Sequence, residues 1–166
     1  MSDLVSRILV PIDFSTHSEQ ALVYAGRLAA RLGASIQLLH VVDDPFLAGA
    51  WSPEVFVADP SDVLAELRRG AAAHLAELAE RLSVSGAPVH TAVLTGHPAR
   101  AIVEYTEREG IDLIVMGTHG RTGLSHALLG SVAERVVRRA PCAVLTLKDV
   151  PQRARHTAPQ LAAVVV

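Results

Sequence analysis

Three glycines and a serine stand at a spacing that could hold a phosphate chain: Gly117, Gly120 and, nine residues later, Gly130-Ser131. They follow directly on the apolar run Ile111 to Met116. A strand leading into a glycine-rich turn and then a helix is an anion cradle. Glycines let backbone N–H groups approach a polyphosphate without interference from Cβ, and a helix N-terminus adds partial positive charge. Ser131 would add a hydroxyl donor at that terminus. The N-terminal counterpart is the apolar run from Ile8, which ends in a carboxylate, Asp13, just ahead of a helical pattern. One anionic strand end and one suited to phosphate together point to a nucleotide site.

The elements that must position these residues alternate along the chain. Apolar runs are separated by longer helical patterns, the signature of βαβ units and of a parallel sheet buried on both faces. The pattern predicts five strands and four helices. The first strand spans about 7–12 and a helix follows to about 32, with Leu22, Ala25, Ala29 and Leu32 on one face, a Thr16-x-x-Glu19 capping box at its start and Gly33 at its end. The second strand, 36–42, leads into a long loop, 43–60, which contains Trp51 and could serve as a lid. A second helix runs from an N-cap at Ser61 to about Leu82, with Leu64, Leu67, Ala71, Leu75, Leu78 and Leu82 as a continuous apolar stripe. The third strand is 89–94, and Pro98 suits the first turn of a third helix ending near Gly110. The fourth strand is 111–116, the fourth helix runs from Ser131 to Ala140, and the fifth strand is 142–147. Residues 149–166, with Pro151, Pro159 and an apolar tip, read as a tail beyond a domain at 1–148, either a flexible terminus or a segment that packs on the domain or on a second copy.

Composition narrows the partners. At 166 residues the chain suits one domain with a sizeable core. Half of it is apolar but only 4% is aromatic, so few rings are available to stack on the bases of RNA or single-stranded DNA. With 15 Lys+Arg scattered against 17 Asp+Glu there is no basic stripe for duplex DNA, and nucleic acid is excluded as a partner. A single cysteine, Cys142, fits a reducing compartment and reads as a small buried apolar group rather than a nucleophile. The N-terminus lacks the basic and apolar segments of a signal peptide, and no apolar run approaches the ~20 residues needed to span a membrane, which together suggest a cytoplasmic protein.

Familiar phosphate and catalytic signatures are missing. The only lysine is Lys148, so there is no GxxxxGK[ST] loop, and the first strand is followed by Asp-Phe-Ser rather than GxGxxG. No GxSxG elbow, HExxH pair or kinase motif set occurs. The remaining histidines, among them His17, His40, His74 and His97, lie on different elements without metal-ligand spacing. Open parallel sheets bind ligands beyond the carboxyl ends of their strands where the strand order reverses. If the first and fourth strands are neighbours there, Asp13 faces the Gly117–Ser131 segment across one crevice. Asp13 could then accept from a ribose hydroxyl or help to hold a phosphate-bound Mg²⁺; its plainer alternatives are a cap for the first helix or a solvated strand-end acid.

Pro11-Ile12-Asp13-Phe14-Ser15, the second strand ending Leu39-His40-Val41-Val42, and Gly117-x2-Gly120-x9-Gly130-Ser131 together resemble the universal stress protein family. The resemblance covers about residues 5–148 and every motif position is filled. It implies an α/β fold with a single open five-stranded parallel sheet, order 3-2-1-4-5, with helices on both faces, of the adenine-nucleotide α-hydrolase-like type. It also implies ATP as ligand, with Mg²⁺. By that resemblance Pro11, Ile12 and Asp13 would line the ribose and adenine side, and Val41 would offer backbone groups to the adenine edge. Met116, Gly117, Gly120, Gly130, Ser131 and Val132 would hold ribose and phosphates. His119 and Arg121 lie inside the glycine loop and could reach phosphate or simply be solvated.

The leading expectation is therefore an ATP-binding regulatory protein that binds rather than turns over nucleotide. Fast hydrolysis needs a positioned base and a cation clamp, for which only Asp13, Arg121 and an assumed Mg²⁺ are at hand, leaving at most slow hydrolysis or phosphorylation at Ser131. The fifth strand would lie at a sheet edge, and an apolar edge tends to pair with another chain, giving a homodimer through 142–147. A nucleotide-independent dimeric scaffold binding an unidentified protein partner through the 43–60 loop or the tail is the alternative. An ATP-consuming enzyme is a third reading, against which stands the absence of pyrophosphatase or adenylation motifs.

Overall fold

The computed structural model describes residues 5–43, 60–83, 86–118 and 129–148. In chain order the elements are β1 (Arg7–Pro11), α1 (Thr16–Leu32), β2 (Ser35–Val42), α2 (Pro60–Ser83), β3 (Val89–Thr95), α3 (Pro98–Glu109), β4 (Leu113–Gly117), α4 (Ser131–Arg139) and β5 (Ala143–Leu147). The strands form one parallel sheet in the order β3-β2-β1-β4-β5, the α/β class and strand order expected from the sequence. All but two residues of the expected 43–60 loop, and the whole 149–166 tail, lie outside the described residues. No described helix is long and apolar enough to cross a membrane.

The strands are apolar along their length because both faces of the sheet are covered. Ile8, Val10, Ile36, Leu38 and Val115 enter one core, with Ala21, Ala25 and Ala29 of α1 and Leu75 and Leu78 of α2. The alternating residues Leu9, Leu39, Ile114 and Met116 enter a second core with Ile102 and Tyr105 of α3 and Val136 of α4. Helices α1 and α3 end at Gly33 (φ 67) and Gly110 (φ 60), where the chain turns left-handed at little steric cost.

Two helix starts differ from the expected ones. The cap of α1 is Ser15, not Thr16: its side chain accepts from the Ser18 N–H at 3.2 Å, so the Thr16-x-x-Glu19 box is one residue out of phase. Helix α2 already begins at Pro60, which places Ser61 inside the first turn rather than at the cap. The α2 stripe is also interrupted. Ala71, Leu75 and Leu78 are buried, but Leu67 is 49% and Val63 38% exposed, because the first half of this helix overhangs the sheet instead of packing on it.

At the opposite end of the sheet, one carboxylate oxygen latches β1 to β4. Asp112 Oδ2 accepts from the Ser6 N–H (2.8 Å), the Ser6 hydroxyl (2.8 Å) and the Arg7 N–H (2.9 Å). The Asp112 N–H returns a bond to the Arg7 carbonyl (3.1 Å). These donors, the Ser6 N–H first among them, hold the Asp112 carboxyl below its ordinary range, while desolvation opposes them. A carboxylate depressed in the fold contributes stability above its unfolded value, near pH 4, and loses it as the pH falls through the lower folded value. Asp112→Asn is therefore expected to lower the thermal midpoint at pH 7 and to flatten its decline below pH ~4, read by calorimetry across that range.

Candidate nucleotide cavity

The crevice exists because the central strand stops early. Pro11 of β1 is in register with Leu39 of β2, yet β2 runs on to Val42, and β4 continues to Gly117. Beyond that step lies a cavity of about 690 Å³, within the range of roughly 300–1,000 Å³ usual for small-molecule and cofactor sites. It opens at the carboxyl ends of β1, β2 and β4, where the strand order reverses. Pro11, Ile12, Asp13, Val41, Met116, Gly117, Gly130, Ser131 and Val132 all line it, so the two sequence segments that carry the candidate site do meet. His119, Gly120 and Arg121 lie outside the described residues.

Val41 owes its place to strand geometry. The Leu39 carbonyl faces β1, accepting from the Ile12 N–H at 2.8 Å, and the Val42 carbonyl faces β3, accepting from the Gly96 N–H at 3.0 Å. Alternation along a strand then turns the Val41 N–H and C=O toward the β1 side, past the last rung between the two strands. Those groups face the crevice and can pair with a planar ligand edge.

One end of the cavity is built on α4. Its N-cap, Gly130, has no side chain to offer, and among the described residues no side chain caps this helix; the Glu134 N–H, bonded to the Gly130 carbonyl at 2.8 Å, closes its first turn. The N–H groups of Ser131, Val132 and Ala133 therefore project from the helix end at the cavity wall, where an anion would satisfy them. The buried Thr118, which the sequence left as an open motif position, sets this geometry. Its carbonyl accepts from the Gly130 N–H at 2.7 Å and its N–H donates to the Leu147 carbonyl at 3.0 Å, joining the ends of β4, β5 and α4.

Gly117 has a steric reason of its own for being glycine. A Cβ there would come within 3.0 Å of His17 Cβ and 3.2 Å of the His17 backbone, so β4 could not lie so close to the first turn of α1. Asp13 is not the α1 cap but supports it from the cavity wall. It lines the cavity, and its Oδ1 accepts from the Ser15 N–H (3.0 Å) and hydroxyl (2.6 Å), holding the residue that caps α1. Among the described residues no group of three or more His, Cys, Asp and Glu side chains could hold a metal, so Mg²⁺ would have to arrive on phosphate oxygens. Cys142 is half-buried just ahead of β5, and burial pushes its thiol up, as befits an unreactive group.

Several wall residues carried no local signal. Glu66, Leu67, Gly70, Ala71 and His74 of α2 form one side of the cavity, and Pro98 and Ile102 of α3 reach it from another. His40 is buried, and its Nδ1 lies 2.7 Å from the Ile12 carbonyl; because a carbonyl only accepts, Nδ1 carries the proton. The Phe14 ring sits between His40, at 4.5 Å, and His74, at 4.4 Å and nearly parallel. Phe14 holds φ 62, a left-handed backbone that costs a side-chain-bearing residue about 1–2 kcal/mol. Phe14 lies in the turn between β1 and α1, His40 in β2 and His74 in α2, so no spacing could have grouped them.

Comparison with known proteins was made against this geometry. The model of the universal stress protein family matches residues 5–148. Universal stress protein MJ0531 of Methanocaldococcus jannaschii is 40% identical over 151 residues, 88% of this chain and 84% of that protein. Among solved structures, protein MJ0577 superimposes with a TM-score of 0.78 at 30% identity, covering 90% of this chain and 99% of its own. A universal stress protein solved in complex with cAMP superimposes with a TM-score of 0.60 at 26% identity, covering 86% of this chain and 95% of its own.

Proposed function

The chain belongs to the universal stress protein family, and from that premise we propose that it is a cytoplasmic regulatory protein that binds ATP with Mg²⁺ in the cavity at the carboxyl edge of its sheet. The observation that carries this reading is the first turn of α4, uncapped among the described residues and opening on that cavity. Three N–H groups and the positive end of a helix dipole meet an anion there, and each hydrogen bond to a charged group is worth roughly 1.5–3 kcal/mol. Pro11, Ile12 and Asp13 with the Val41 backbone take the adenosine, Met116 and Gly117 take the ribose side, and Gly130, Ser131 and Val132 take the phosphates. Gly120, His119 and Arg121 complete the phosphate loop. Mg²⁺ rides on the phosphates with Asp13 beside it. The likeness to a cAMP complex supports an adenine nucleotide as the ligand class; the α4 terminus and the glycine loop favour the polyphosphate over the cyclic monophosphate. Turnover is at most slow, since fast hydrolysis needs a positioned base together with a cation clamp on the transferring phosphoryl group.

Nucleotide occupancy switches a surface rather than driving a reaction. Among the described residues the edge strand β5 pairs only with β4, and its outer edge is suited to antiparallel pairing with a second copy. Sedimentation equilibrium is expected to give a species at twice the 17.6 kDa chain mass. The binding reading is tested by mass spectrometry of nucleotide released by heat from fresh protein and by calorimetric titration of ATP-Mg and cAMP into stripped protein. Micromolar ATP binding with weaker cAMP is expected. No released nucleotide and no heat at millimolar ATP would sink it and leave the dimeric scaffold.

A further inference from the structure

Phe14 is, among the described residues, the one non-glycine with a positive φ. On backbone grounds a glycine would serve better at φ 62, since a Cβ is disfavoured there. What glycine cannot supply is the ring. That ring lies against His40, which grips the Ile12 carbonyl one residue ahead of Asp13, and lies flat on His74, interplanar angle 3°. His74 occupies a particular place on α2. Next to it and beyond it the helix is anchored by buried Leu75 and Leu78, and one turn before it by Ala71; N-terminal to Ala71 the helix overhangs, with Leu67 and Val63 exposed. The overhanging half, through Glu66, Leu67 and Gly70, is one wall of the cavity.

We propose that the His40–Phe14–His74 stack is a positioning device for the nucleotide cavity, fixing the α2 wall and the Ile12–Asp13 strand end at one separation and so setting the width of the adenosine subsite. The inference rests on the nucleotide reading above. A flat ring-on-ring contact constrains tilt as well as approach, because aromatic pairs have preferred relative orientations that aliphatic contacts lack. The left-handed turn at Phe14 is what swings the ring out of the strand direction to reach α2. Because the stack acts at the adenosine end, its loss should weaken every adenine ligand by the same factor, whatever its phosphate count.

The test is calorimetric titration of ATP-Mg and of adenosine into wild type, His74→Ala, His74→Phe and Phe14→Leu, with the thermal midpoint of each recorded without ligand. His74→Ala and Phe14→Leu are expected to weaken ATP and adenosine alike, by about tenfold, and His74→Phe, which restores a flat ring, to return within about twofold of wild type. Since His74 is exposed, its midpoint should scarcely move in His74→Ala, so the affinity loss cannot be laid to unfolding. Unchanged affinity in His74→Ala overturns the inference alone. So does a loss confined to ATP, which would place the effect at the phosphates, or a failure of His74→Phe to recover. A wild type that binds neither ligand overturns the nucleotide reading and this inference together.

Discussion

Gly130→Trp is expected to lower ATP affinity by more than a hundredfold, about 2.7 kcal/mol or more, while the thermal midpoint stays within a few degrees of wild type. Gly130 has φ −68 and ψ 153, an ordinary extended conformation, so a side chain is tolerated by the backbone. Its N–H bond to the Thr118 carbonyl survives any substitution but proline. An indole at this position would occupy the space directly before the first-turn N–H groups of α4, which are the groups assigned to the phosphates. Gly130→Asp separates blocking from misfolding. A carboxylate at the N-cap accepts from the first-turn N–H groups itself, so it should raise helix stability by a few tenths of a kcal/mol while repelling phosphate. Stability up and ATP binding lost is the outcome expected from Gly130→Asp. Wild-type affinity in both variants would move the nucleotide away from α4 altogether.

Leu75→Ala is expected to have the largest effect on stability among single truncations near the site. Leu75 is fully buried in the core shared by α1, α2 and the sheet, and cutting a buried leucine to alanine costs about 2–5 kcal/mol. For a chain of this length each kcal/mol shifts the midpoint by roughly 2–4 °C, so a fall of about 4–20 °C is expected in a calorimetric scan. Nucleotide affinity should change much less, since the Phe14–His74 stack beside it remains. The neighbouring residues 74 and 75 thus divide the work of α2: His74 faces the cavity, and Leu75 holds the helix to the sheet. A midpoint shift below 2 °C would mean that α2 is anchored elsewhere.

Much of this was legible in the chain itself. Strand runs bounded by Gly, Pro and Asp locate every strand to within about two residues, because a sheet covered on both faces demands continuous apolar residues. The meeting of Asp13 with Gly130-Ser131 followed from placing both at strand ends, together with a strand order that came from family resemblance rather than from the physics of the runs. Errors arose where tertiary contacts chose between local alternatives. Ser15 and Thr16 are equally good caps by type, and only the Asp13 carboxylate, bonded to Ser15, selects the first. The α2 stripe looks continuous through Leu67 because periodicity records which face is apolar but not how far the neighbouring sheet extends. That Gly117 must also be glycine to clear His17, 100 residues away in the chain, is a demand the motif did not reveal. The ring stack and the Thr118 brace were not legible, since each is assembled from elements that the sequence keeps far apart.

The placement of β1 between β2 and β4 also bears on how the chain reaches this state. Pairing β1 with β2 closes a short connection through α1, and β3 can join after α2. Pairing β1 with β4 must join Ile8 to Leu113, across most of the domain, and closure entropy rises with the length of the loop. Contacts that are distant in sequence slow folding, so the β1–β4 seam is expected to close late, with β3, β2 and β1 already assembled. The proposed nucleotide crevice straddles that seam. A ligand bound across it would act as a clasp between an early-folding and a late-folding half, retarding the opening of the chain as well as favouring its closed state.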